Sequence, residues 1–75
     1  MPKIPRLLGR EIVAAFEKAG YYVDRVRGSH HIMKHDERLY RLSVPVHAGK
    51  TVGIGLLKQL IEKADMTVEM FVDLL

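Results

Sequence analysis

Three β-type runs follow one another between residues 21 and 45 with almost nothing between them: "YYVDRVR", "SHHIMKH" and "LYRLSVP". The first is rich in aromatic and β-branched residues that roughly alternate, the pattern of a strand. Gly28 breaks it and the second run resumes at once. "DER" at 36–38 then makes a turn, with Asp36 the natural residue to begin it. A parallel crossover needs about a dozen residues or more, so strands joined this closely are antiparallel. Pro45 ends the third run, because proline cannot donate to a sheet ladder. "VHAGKTVG" after it reads as a glycine-containing loop.

Helical spacing brackets these strands. Before them, Ile12, Val13, Phe16 and Ala19, with Leu8 just ahead, mark one face of a helix from Gly9 to Ala19. Gly20 supplies the stop, since glycine reaches the left-handed conformation that ends helices. Glu11 near its start and Lys18 near its end suit the helix dipole. Pro2 and Pro5 keep the first residues extended and off the helix. After the strands, Ile54, Leu57, Leu60, Ile61 and Ala64 mark a second helix. Thr67 is placed to cap a short third one with Val68, Phe71, Val72 and Leu75 as its apolar stripe. An antiparallel sheet can bury one face under helices and leave the other open. The expectation is a single α+β domain over residues 1–75: helix, three-stranded antiparallel sheet, helix, short C-terminal helix.

Seventy-five residues hold one core, and a chain this short buries only about 60% of its unfolded surface. There is no cysteine, so neither a disulfide nor a thiolate metal site can staple it. "MPKIPRLLGR" has charge but no apolar run behind it, unlike a signal peptide. No stretch approaches the roughly 20 apolar residues of a membrane helix. A soluble cytoplasmic domain without a membrane role is expected. The net charge of +3 suggests an anionic partner, and its distribution says more. From Arg25 to Lys50 run Arg25, Arg27, Lys34, Arg38, Arg41 and Lys50, against only Asp36 and Glu37. The four histidines share that stretch, three of them inside "GSHHIMKH" at 28–35.

A metal is a poor fit to those histidines. His30 and His31 point to opposite faces of a strand and cannot jointly chelate without distortion. His31 and His35 stand apart on a strand, and only Asp36 and Glu37 lie near as carboxylates. Acid–base chemistry suits the setting better, because imidazole takes and gives a proton near neutrality. Beside a basic surface it fits RNA cleavage, where the RNA's own 2′-hydroxyl is the nucleophile. Arg27, Lys34 and Lys50 are candidates for neutralising phosphate, and Ser29 for donating a hydroxyl. Against this stands the plain reading that sheet-face histidines are solvated polar residues. Alternation groups His30 with Ile32 and Lys34, and His31 with Met33 and His35. If Met33 faces the core, His30 lies on the open face; if Ile32 does, His30 borders the core. Both arrangements remain open on spacing alone.

"GYYVDRVRGSHHIMKH", then "VPVH", then "GLLKQLIEKADMT" resemble the HicA family of mRNA-cleaving toxins over nearly the whole chain, from about Gly9 to Leu75. The most specific parts are Gly20-Tyr21, the triplet Gly28-Ser29-His30, and Pro45 with His47. The resemblance implies a double-stranded-RNA-binding-domain-like fold and an endoribonuclease that needs no metal or other cofactor. It also implies a HicB-type antitoxin as partner. It places the catalytic histidine on His30, with Gly28 as the tight turn that presents Ser29 and His30. His47 falls on a family position after the third strand, suited to RNA contact or to loop structure. At Leu56, after Gly55, the chain departs from the family, which often has a hydroxyl residue there; no side-chain cap is expected at that helix start. Two other functions share the same basic face: a non-catalytic RNA-binding module, and a docking domain for an acidic protein.

Overall fold

The computed structural model describes residues 3–75, so the part assigned to Pro2 lies outside them. The elements run β1 (Leu7–Leu8), α1 (Gly9–Lys18), β2 (Tyr22–Arg27), β3 (His30–Lys34), β4 (Leu42–Pro45), β5 (Thr51–Val52), α2 (Ile54–Lys63) and α3 (Val68–Val72). The fold is the expected α+β arrangement. β2, β3 and β4 form one antiparallel sheet in that order, and α1 and α2 both pack on β4.

The sheet's two faces sort by alternation. Met33, Leu42 and Val44 point inward and are fully buried. They meet Ile12 and Phe16 from α1, Leu57, Leu60 and Ile61 from α2, and Phe71 from α3. Phe16 is the hub, with ring centroids 5.6 Å from Tyr21 and 5.2 Å from Phe71. Because Met33 is the inward residue, Ile32 and His30 stand on the open face. That settles the alternative left by spacing.

Helix ends follow their local chemistry. Gly20 takes φ +100, the left-handed value that ends α1. The Leu8 N–H donates to Glu11 Oε1 at 2.9 Å, satisfying a donor at the start of α1. Thr67 caps α3 by accepting from the Met70 N–H at 3.1 Å. α2 has no side-chain cap, because its N-cap is Gly53, which has no side chain, and Leu56 lies within the first turn. In α3 only Phe71 is buried; Leu75 of its expected stripe is exposed.

Two parts of the chain depart from expectation. The third strand starts at Leu42 rather than Leu39, and Leu39 and Tyr40 are exposed. Its sheet pairing begins at Met33–Leu42, so residues 35–41 must loop back from the end of β3. Within the expected loop after β4, Thr51 and Val52 form β5, which pairs antiparallel with β1. Leu7 and Val52, opposite each other, are both buried. This ribbon draws residues 46–50 alongside the start of α1.

Candidate active site

His30 begins β3 immediately after the turn that reverses the chain. Arg27 and His30 are paired, so Gly28 and Ser29 form a two-residue hairpin loop. Gly28 has φ +58, and Ser29 does not share a positive φ, the pattern of a type II′ turn with glycine first. This turn matches the right-handed twist of the strands and brings Arg27 directly across from His30. On the other side His30 is paired with Pro45 of β4, and the Val46 N–H donates to the Ser29 carbonyl at 2.7 Å. The edge position of β4 lets Pro45 sit there without leaving a gap in the ladder.

The imidazole of His30 is exposed and anchored at one nitrogen. Its Nδ1 lies 3.1 Å from Ser43 Oγ. Ser43 faces out between buried Leu42 and Val44, diagonal to His30 across the strand pair. Among the described residues no hydrogen bond engages His30 Nε2, which is left to the open surface. Ser43 escaped the sequence reading. Its signal was weak: a lone hydroxyl at an outward position, meaningful only once the β3–β4 register is known.

The other histidines go elsewhere. His31 points with Met33 toward the inner layer, half-buried, and its Nδ1 is buried without a hydrogen-bond partner among the described residues. His35 is used on both sides: the Glu37 N–H donates to Nδ1 at 2.9 Å, so Nε2 carries the hydrogen and donates to the Ala19 carbonyl at 3.1 Å. Its ring also packs edge-on against Tyr21, 4.9 Å between centroids. His35 therefore ties the end of β3 to the end of α1. Burial pushes the Tyr21 phenol above its ordinary 10.0, with Arg38 opposing and Asp65 adding to the shift.

The basic candidates divide between two ends of the sheet. Arg27 lies beside His30. His47 and Lys50 lie on the loop that leaves Pro45, closed by the Lys50 N–H donating to the His47 carbonyl at 3.1 Å and by Gly49 at φ +74. His47 lines a cleft of ≈ 140 Å³ with Arg10, Val46 and Gly49, at the start of α1. Lys34 sits at the far end of β3, about 13 Å from His30 at 3.3 Å per residue. Its ammonium is 3.5 Å from Asp24, which also lies 3.5 Å from Arg25. Asp24 thus partly neutralises that end, whereas Arg27 beside His30 makes no ion pair among the described residues. Roomier grooves lie elsewhere: one of ≈ 500 Å³, lined by Ile4, Ile54, Lys58 and Val68 among others, includes no histidine. Among the described residues, no group of three His, Asp or Glu side chains could hold a metal ion.

This is a small α+β domain that presents an anchored imidazole, with Arg27 paired beside it, on the open face of its sheet. The comparison with known families gives the class a name. Residues 9–66, more than half of the chain, match the family described as "HicA toxin of bacterial toxin-antitoxin", and the chain belongs to that family. It is a toxin of the toxin–antitoxin type, with an antitoxin as partner. No curated protein matches it in sequence.

Proposed function

We propose that this toxin is an endoribonuclease that cleaves mRNA in the cytoplasm with His30 as its acid–base group and no metal cofactor. The observation that carries the reading is the state of His30: exposed, held at Nδ1 by Ser43, without a partner at Nε2 among the described residues, and paired across the hairpin with Arg27. A phosphodiester laid over this end of the sheet meets Nε2 and the Arg27 guanidinium together. Nε2 takes the proton of the 2′-hydroxyl as the 2′-oxygen–phosphorus bond forms. The phosphorus–5′-oxygen bond breaks, leaving a 2′,3′-cyclic phosphate and a 5′-hydroxyl. The departing oxygen gains its proton from the imidazolium or from water, and Arg27 stabilises the charge that builds on the phosphate. Lys50 and the His47 imidazole, on the loop after β4, offer further RNA contacts, while Lys34, paired with Asp24, contributes less. A HicB-type antitoxin would silence the enzyme by covering the same open face.

The test is induced expression of wild type and His30→Ala in bacteria, with growth and total mRNA followed, and cleavage by the purified proteins. General acid–base catalysis is worth about 10²–10⁴-fold, so the variant is expected to be harmless and inactive while folding normally. A His30→Ala protein that still cuts RNA overturns the assignment. A harmless wild type that binds RNA without cutting it points to the RNA-binding module instead.

A further inference from the structure

We propose that Ser43 is a positioning residue for His30: its Oγ accepts the Nδ1 hydrogen, which selects the imidazole form whose Nε2 is a base. The inference rests on the ribonuclease reading of His30. An exposed imidazole on a strand turns freely about its two side-chain torsions and exchanges its hydrogen between two nitrogens. Only the form with hydrogen on Nδ1 leaves the Nε2 lone pair ready to receive a proton. Oγ of Ser43, 3.1 Å from Nδ1, fixes the ring's rotation; a serine hydroxyl can accept or donate, and it selects the Nε2 base when it accepts. It comes from a rigid place, since Leu42 and Val44 on either side are fully buried in the core. The contact also survives the reaction. Nδ1 carries its hydrogen in both the neutral base and the imidazolium, so the bond to Oγ persists as Nε2 gains and loses its proton. No other described side chain hydrogen-bonds to the ring; Arg27 opposite it is a cation and cannot accept the Nδ1 hydrogen.

The test pairs a spectroscopic readout with kinetics on the full chain. Ring ¹⁵N signals of His30 in the wild type should show a hydrogen on Nδ1 and a free lone pair on Nε2, with Ser43→Ala shifting them toward the other form. On an RNA oligonucleotide Ser43→Ala should lose kcat by about 10- to 100-fold, the usual effect of removing a partner that orients a working histidine, with KM little changed. Ser43→Thr, which keeps the hydroxyl, should restore both the signals and most of kcat. Unmoved ring signals or an unchanged kcat in Ser43→Ala, in a protein whose wild type cleaves RNA, overturns the role of Ser43 alone. A wild type that never cleaves, with ring signals that still respond to Ser43→Ala, overturns the ribonuclease reading and leaves the contact standing.

Discussion

Gly9→Ala is a substitution for which local propensity and tertiary structure predict opposite signs. Gly9 is the first residue of α1, and alanine is favoured over glycine in helices by about 0.8–1.0 kcal/mol. On that ground the variant should be more stable. But Gly9 is buried where α1 meets the end of β4. An added Cβ would lie 2.9 Å from Val46 Cα and 3.0 Å from the Pro45 carbonyl carbon, and closer still to the Pro45 oxygen. Carbon atoms prefer about 3.5–4.0 Å, so the helix start would have to retreat by roughly half an ångström or more. What it meets is backbone, which has no rotamer to change, so the cost belongs near the upper end of the ~1–3 kcal/mol typical of overpacking. The clash wins by about 2 kcal/mol. With a slope of about 1–1.5 kcal/mol/M for so small a domain, the urea midpoint should fall by about 1.3–2 M. Gly55→Ala is the control: it lies in α2, a Cβ there meets nothing within 4 Å, and the variant should gain up to ~1 kcal/mol. A Gly9→Ala protein as stable as wild type, or more stable, would refute the close approach of α1 to Pro45.

Phe16→Ala should cost about 3–5 kcal/mol, because it empties the space between the Tyr21 and Phe71 rings; that is about all a domain of this size has. Circular dichroism at 37 °C should find it largely unfolded, and a cooperative transition near that of wild type would contradict the packing. For Tyr21 the folded pKa is raised, so the fold prefers the neutral phenol. Its contribution is complete below the ordinary 10.0 and is lost as pH rises through the higher folded value. The urea midpoint of wild type should therefore drop as the pH rises past 10.0, and Tyr21→Phe should escape that part of the drop. Since the hydroxyl has no hydrogen-bond partner among the described residues, Tyr21→Phe should also be no less stable near neutrality. A matching alkaline drop in both proteins would show that the phenol is not the group responsible.

The antiparallel sheet and the two longer helices were legible because their signals are local: apolar spacing, Gly20, and breaks too short for a crossover. Strand limits were less so. "LYRLSVP" alternates throughout, yet Leu39 and Tyr40 are exposed because no strand lies opposite them: β3 ends at Lys34 and His35 turns away to hold Ala19. β5 was invisible for a different reason. Thr51 and Val52 become a strand only by meeting Leu7 and Leu8, which lie far away in sequence, and two residues carry no periodicity. Gly9 likewise read as a mere helix start, since the backbone it must approach comes from the far end of β4.

The three histidines of "GSHHIMKH" show how far residue type alone can go. Chemistry says that any of them could move a proton near neutrality. Alternation separates His31 from its neighbour His30 but cannot say which face is wet; that needed Met33, and the helices that cover it, to be placed. His35 is removed from contention by a contact no pattern reveals, because Ala19 and Glu37 occupy both its nitrogens. His30 is left as the one imidazole of the three with a nitrogen anchored and a nitrogen exposed. The anchoring atom belongs to β4, brought beside it by the β3–β4 register, which the Val46–Ser29 bond closes at this end. The Gly28-Ser29 turn places Arg27 across from it. A two-residue hairpin thus does two jobs at this site: it joins β2 to β3, and it pairs an imidazole with a guanidinium across the two strands.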